Sequence, residues 1–337
     1  GTGIDADRIY VESFLALHHD PETAAVAFAV DLARQGEPYD EGYLQVAQDV
    51  LAATTKPFCI VSNLPAAIAR DEVGRLRGAG IPVLEGTVSG LRALKHLLDD
   101  SSARERPTAA SPPGSPAGIE GEWRRRLAEA PDLSEGAALG LLYAYDISVV
   151  DALPARSLKE AEQAAERIGY PVAVKTAVPG ISHKSDVQGV RVGVVDPFEL
   201  GEVYRDLAER LGPDVTIAAM APPGVEVALG VVRDPTFGPL VLVAAGGVLV
   251  ELIHDRKLAL PPIDEDAARR LIDALAMRPL LDGVRGAPPC DVDALAHAVS
   301  RLSVLAVELG DVNAVLDINP VIVSSQGCVA VDVLVVT

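Results

Sequence analysis

Residues 316–323 read LDINPVIV, and after a turn at Gln326 and Gly327 the chain returns over residues 329–335 as VAVDVLV. Both are rich in β-branched apolar residues and flank a turn, which predicts closing strands at 314–318 and 328–336. If the two pair, Asp317, Asn319 and Asp332 converge on one face, because alternate side chains of a strand share a face. Hard oxygen donors of this kind suit Mg²⁺ held between protein and phosphates. Taken alone, the same pattern is also that of a polar hairpin.

Upstream, the strand predicted at 171–175 ends on Lys175 (YPVAVK). A charge that finishes a buried run needs a partner. It either meets a phosphate as a point charge or reaches solvent. The loop after it, residues 178–189, reads VPGISHKSDVQG and is short, polar and bounded by glycine. Backbone amides in such a loop can cradle phosphates, and His183 brings a nucleophilic ring nitrogen, although a loop histidine is also an ordinary surface residue. Gly246 and Gly247 follow a strand at 240–243 and let backbone approach a ligand. Arg285 clamps an anion or pairs with an acid. His254 beside Arg256 and Lys257, and the pair His18 and His19, read as solvated surface.

The chain has 337 residues, 49% hydrophobic and 23% charged, enough for at least two folding units with sizeable cores. Its formal charge of −19 repels a phosphate backbone and argues against nucleic acid and anionic membrane as partners. The longest apolar run, 238–253, is interrupted by Pro239, Gly246, Gly247 and Glu251 and reads as buried sheet and turn. Cys59, Cys290 and Cys328 lack metal-ligand spacing, and no signal-peptide pattern is visible, so a cytoplasmic setting is expected.

Residues 1–99 alternate helical stretches (5–17, 41–53, 65–78, 89–98) with short apolar strands (25–30, 57–61, 81–84). This βαβ alternation predicts an α/β, three-layer, flavodoxin-like domain. A Ser-, Pro- and Ala-rich linker is expected at 100–120. Residues 121–337 read as a mixed α+β domain, with helices at 122–130, 134–145, 157–168, 265–276 and 292–309 around a strand-dense stretch at 189–260.

Taken in order, GYPVAVKTAVPGISHKSDVQGVRVGV (169–194), GVEVALGVVRDPTFGPLVLVAAGGVLVEL (224–252), PLLDGVRGAPPCD (279–291) and LDINPVIV with AVDV resemble the β part of the nucleoside-diphosphate-forming acyl-CoA synthetases, relatives of succinyl-CoA synthetase. The resemblance runs from about Ser134 to the C-terminus, and residues 1–99 look like the family's last flavodoxin-like subdomain.

The resemblance implies an ATP-grasp fold with nucleotide held between two α+β lobes. It implies that Lys175 contacts ATP phosphate, that Lys184, beside His183, offsets charge on the group transferred, that Asn319 and Asp332 hold Mg²⁺, and that Asp317 takes the place of a motif glutamate. Glu226 would lie near the nucleotide's edge, Gly246 and Gly247 would belong to the nucleotide-binding set, and His183 would carry a phosphoryl group. The chain departs from the family at Ala218 (commonly Gln), at Val178-Pro179-Gly180 (Ser-Pro-Asp) and at Gln188 (Gly).

Also implied are CoA and a carboxylic acid as co-substrates, a CoA-binding and a phosphohistidine domain upstream or on another chain, and an oligomeric assembly. Because the chain begins at Gly1 and shows neither of those domains, it is expected to be a fragment or one partner of a larger assembly. Gly1 to Gly3 are expected to point a helix N-terminus at the phosphohistidine. The alternatives are another ATP-grasp carboxylate ligase, which needs no carrier histidine, and a catalytically silent module that senses nucleotide or CoA.

Overall fold

The computed structural model describes residues 6–32, 43–65, 68–104, 111–130, 133–178, 180–181, 184, 186–247, 255–284, 286–312 and 315–336. The chain divides into two compact units, residues 1–108 and 109–337. Among the described residues no helix is long and apolar enough to cross a membrane.

The first unit holds three parallel strands in the order β1 (Val26–Val30), β2 (Phe58–Ser62), β3 (Val83–Glu85). β2, FCIVS, is buried along its whole length, as expected of a central parallel strand covered on both faces. Helices α1 (Ala6–His19), α2 (Tyr43–Ala53), α3 (Arg70–Gly78) and α4 (Thr87–Arg104) alternate with the strands. Phe14 of α1 packs edge-on against Phe28 and Phe58. The helix predicted from residue 65 begins only at Arg70, where the Ala69 amide is bound by the Leu32 carbonyl instead.

The stretch read as linker is structured at both ends. α4 runs on through Arg104. In the second unit, the Ser115 amide donates to Glu308 at 2.9 Å and Arg301 donates to the Pro113 carbonyl at 2.6 Å, so proline-rich chain is held by hydrogen bonds in place of hydrophobic periodicity.

The second unit contains two α+β lobes. The smaller has an antiparallel sheet in the order β4 (Ala152–Ala155), β7 (Val215–Ala219), β5 (Val172–Thr176), β6 (Val190–Val194), with α7 (Leu158–Ile168) and α8 (Pro197–Arg210) packed on it. α8 lies inside the stretch read as strand-dense. Its start is locally encoded: Asp196 caps the Glu199 amide, Pro197 opens the first turn, and Glu199 returns a bond to the Val195 amide at 2.9 Å.

The larger lobe has the strand order β10 (Arg256–Ala259), β9 (Gly238–Ala245), β8 (Val225–Asp234), β11 (Val315–Ser324), β12 (Gly327–Ala330), with β13 (Val333–Val336) also paired to β11. α5 (Ile119–Glu129), α6 (Glu135–Ala144), α9 (Glu265–Asp273), α10 (Arg278–Leu281) and α11 (Val292–Leu309) complete it. α11 is apolar on nearly every side because it runs through the middle of this lobe's core. The single strand predicted at 328–336 is broken into β12 and β13 at Val331 and Asp332. Each lobe has its own core. Val150, Ala173 and Ala218, with Val329 and Val331 against them, form a small apolar seam between the two.

His297 of α11 ties two elements of the larger lobe, with Nδ1 2.8 Å from Glu265 and Nε2 3.1 Å from Asp146. Both ring nitrogens donate to carboxylates only as imidazolium. Burial alone would lower its pKa, but the Glu265 and Asp146 hydrogen bonds outweigh this and raise it. A raised folded pKa stabilises the fold in full below the ring's ordinary value of 6.5, and that stability is lost as pH climbs through the folded value. Urea unfolding of the wild type should therefore show stability falling between about pH 6 and pH 8 relative to His297→Gln, which should lack that component.

Candidate functional site

At the seam between the lobes, a cluster of opposite charges has formed. Lys175 is the next-to-last residue of the fully buried β5, which runs on to Thr176, and its Nζ donates to Glu135 Oε1 at 2.8 Å and to the Val331 carbonyl at 2.7 Å. Its side chain is 4% exposed, so this strand end does not reach solvent. Lys184 bridges Glu135 Oε2 at 2.9 Å and Asp332 Oδ1 at 2.8 Å. The two oxygens of Glu135 are thus divided between two ammonium groups. Burial alone would lower the Lys184 pKa, but the carboxylates of Glu135 and Asp332 outweigh it and raise it. Lys184 is fixed from behind as well: its carbonyl accepts from the Gly189 amide, and the Gly189 carbonyl accepts from the Thr176 amide, both at 2.7 Å.

Asn319 and Asp332 meet through strand register. β11 pairs β13 with Asp317 opposite Leu334 and Ile318 opposite Val333, and the same register carries Asn319 to Asp332. The Asn319 amide donates to the Asp332 carbonyl at 3.2 Å, and the Val331 amide donates to Pro320 at 3.0 Å. Because β12 and β13 part at Val331 and Asp332, Asp332 is not a mid-strand residue; its Oδ1 accepts from the Val333 amide at 3.0 Å. Leu316 and Ile318 are buried in the core, whereas Asp317 alternates with them on the opposite, exposed side, the side of Asn319.

Gly246 and Gly247 lie beside Glu226. The Gly246 amide donates to the Glu226 carbonyl at 3.0 Å, and a Cβ on Gly246 would lie 2.6 Å from the backbone of Glu226 and Val227. Gly247 has φ +58° and would place a Cβ 1.8 Å from Glu226 Oε2, while its amide lies 3.5 Å from Asn319 Oδ1. Close approach of β9 to the chain's own β8 therefore already accounts for Gly246, and the left-handed backbone for Gly247.

His183, Pro179, Arg285, His254 and Gly1 to Gly3 lie outside the described residues. Glu135 is the site residue that sequence reasoning does not find. It follows the helix cap Ser134, whose hydroxyl accepts from Ala137, and an acid in a first helical turn is what capping and the helix dipole favour on their own. Among the described residues, no three His, Cys, Asp or Glu side chains come together to hold a metal. A cation bound at Asn319 and Asp332 would need further donors.

The chain matches the ATP-grasp domain family over residues 127–337. It is 37% identical over 206 residues to the beta subunit of the ADP-forming acetate–CoA ligase II of Pyrococcus furiosus, a match spanning 58% of this chain and 87% of that one. The chain belongs to the ATP-grasp family of ADP-forming acid–CoA ligases. It is 34% identical over 277 residues to the ADP-forming acetate–CoA ligase I of Archaeoglobus fulgidus, covering 78% of this chain and 40% of that longer protein. A solved structure of the dinucleotide-forming acetyl-coenzyme A synthetase 1 of Ca. Korarchaeum cryptofilum, described as bound to coenzyme A and Mg-AMPPCP with its phosphohistidine segment pointing towards the nucleotide binding site, shares 34% identity at a TM-score of 0.58, over 64% of this chain and 99% of that one.

The family match covers both lobes of the second unit. The glycine pair gives a test of the geometry: Gly246→Ala should force β9 away from the backbone of Glu226 and lower the unfolding free energy by about 1–3 kcal/mol in chemical denaturation.

Proposed function

We propose that this chain binds Mg–ATP between its two lobes and transfers the γ-phosphoryl group to His183, as the ATP-using part of the reversible reaction of a carboxylic acid, CoA and ATP to acyl-CoA, ADP and phosphate. The observation that carries this reading is that two lysines of the smaller lobe meet consecutive residues of the larger, Lys175 on the Val331 carbonyl and Lys184 on the carboxylate of Asp332, whose backbone is bonded to Asn319. Two ammonium groups beside two oxygen donors form an arrangement suited to a polyphosphate and its metal.

The residues fit such a metal. Asn319 Oδ1 and the Asp332 carboxylate are hard donors on adjacent backbone, and a magnesium ion bound through few protein ligands is completed by phosphate oxygens and water. When bound, that ion would neutralise charge on the phosphates. Lys175 is assigned to a phosphate, and Asp317, Glu226 and the backbone at Gly246 and Gly247 to the nucleotide's surroundings.

His183 is assigned as the carrier. A lone pair on its ring nitrogen attacks the γ-phosphorus, the bond from that phosphorus to the bridging oxygen breaks, and ADP departs with the electron pair. An imidazole suits this step because it is nucleophilic near neutral pH and phosphohistidine passes the group on readily. Lys184, next in sequence, would offset charge on the group in transit. The carrier is needed because the acid and CoA are assigned to a CoA-binding domain and a phosphohistidine domain beyond this chain's own lobes.

Two measurements test the reading. With γ-labelled ATP and Mg²⁺, the wild type should acquire acid-labile, base-stable label and His183→Ala should acquire none; equal labelling of both would exclude His183. Asn319→Ala and Asp332→Ala should each weaken Mg–ATP binding in calorimetry by about tenfold or more while melting near the wild-type temperature. Unchanged affinity in both would remove them as metal ligands.

A further inference from the structure

Asp332 Oδ1 cannot serve two cations at once. It lies 2.8 Å from Lys184 Nζ and also accepts from the Val333 amide. A metal bound through Oδ1 has to displace the ammonium, and one bound through Oδ2 has to stand against its charge. The other end of Lys184 is held differently: Glu135 Oε2 lies 2.9 Å from Nζ, and the Glu135 side chain is 5% exposed, against 29% for Asp332. A cation arriving from solvent therefore reaches Asp332 first, while Glu135, sealed beneath, still holds Lys184 on its far side.

We propose that Lys184 is a resident cation of the metal position, exchanging Asp332 for nucleotide phosphate when metal and nucleotide bind together, with Glu135 as the pivot that keeps it in the site. This deepens the reading above and rests on Asn319 and Asp332 being the metal pair.

Charge decides when the exchange takes place. Lys175, Lys184, Glu135 and Asp332 sum to zero at neutral pH. A divalent ion entering alone leaves two uncompensated charges in a largely desolvated cluster and strands Lys184 with half its partners. The same ion arriving with a polyphosphate brings the anion that takes up both the metal and the displaced ammonium. Metal without nucleotide is thus disfavoured, and Glu135, through its two oxygens, links the move of Lys184 to the position of Lys175.

The test is Mn²⁺ binding to the intact chain without nucleotide, read from the loss of the free-ion electron paramagnetic resonance signal. Lys184→Met takes a positive charge away from between two carboxylates and should tighten Mn²⁺ binding by about tenfold or more. Lys184→Arg should bind as weakly as wild type, and Lys184→Met combined with Asp332→Asn should fall back to that weak level. Amine acylation of the unmodified chain, followed by peptide mass spectrometry, gives a second readout that needs no variant to fold. Millimolar Mg²⁺ with a non-hydrolysable ATP analogue should change the acylation rate at Lys184, whereas millimolar Mg²⁺ alone should leave it near the metal-free rate.

A folded Lys184→Met that binds Mn²⁺ no more tightly than wild type overturns the exchange, and so does a Lys184 acylation rate that Mg²⁺ alone shifts as far as Mg²⁺ with nucleotide. The two readings fail separately. If Asp332→Asn also weakens Mn–ATP binding, only the exchange has fallen; if it leaves Mn–ATP binding intact, the metal pair itself has been misassigned.

Discussion

A buried carboxylate between two ammonium groups is the constraint on which the site depends. Glu135 stands at the first turn of α6 with one oxygen on Lys175 and the other on Lys184. Removing ions from water costs several kcal/mol each, and the mutual attraction offsets this only when every partner is present. Lys175 reaches that state through a third contact, the Val331 carbonyl, which belongs to the other lobe. The packing of the two lobes and the partners of the cluster are therefore linked: if β5 moves away from the break between β12 and β13, the buried Lys175 loses an acceptor.

The larger lobe supplies that break. A continuous strand over residues 328–336 would turn successive side chains to alternate faces and leave the Val331 carbonyl to sheet pairing. The parting of β12 from β13 instead lets the Val331 carbonyl accept from Lys175, while Asn319 and Asp332 are held together by their own backbone bond. One irregularity in a β-strand thus presents an acceptor for a lysine and two oxygen donors side by side.

What the sequence made legible follows from the range of the interactions involved. Strand periodicity and register are local or nearly so, and they brought out Asn319 and Asp332 as a pair and α11 over its observed span. α8 was legible in principle through Asp196, Pro197 and Glu199 but was obscured by the β-rich sequence around it. Glu135 was not legible at all. It lies 40 residues from Lys175, and its local setting is fully explained by helix capping. Gly246 and Gly247 carried a signal with two causes: the approach of β9 to β8 crowds Gly246, and Gly247 takes a left-handed conformation.

The departures from the family pattern can be placed in the same terms. Ala218 lies in the apolar seam with Val150 and Ala173, so a methyl group stands there where an amide is common in the family pattern. Gln188 adopts φ +51°, a left-handed conformation that glycine takes without steric cost and that a side chain takes at about 1–2 kcal/mol. The chain carries that strain at the base of the loop, where the Gln188 carbonyl accepts from Arg210 at 3.2 Å and the next residue, Gly189, binds the Lys184 carbonyl. A Cβ on Gly189 would fall 2.6 Å from Thr176 and 3.0 Å from the Lys184 carbonyl, so this glycine acts as a packing contact. The loop base thus has room for a side chain at 188, which is exposed, and not at 189, where an added Cβ would crowd Thr176 and the carbonyl of Lys184.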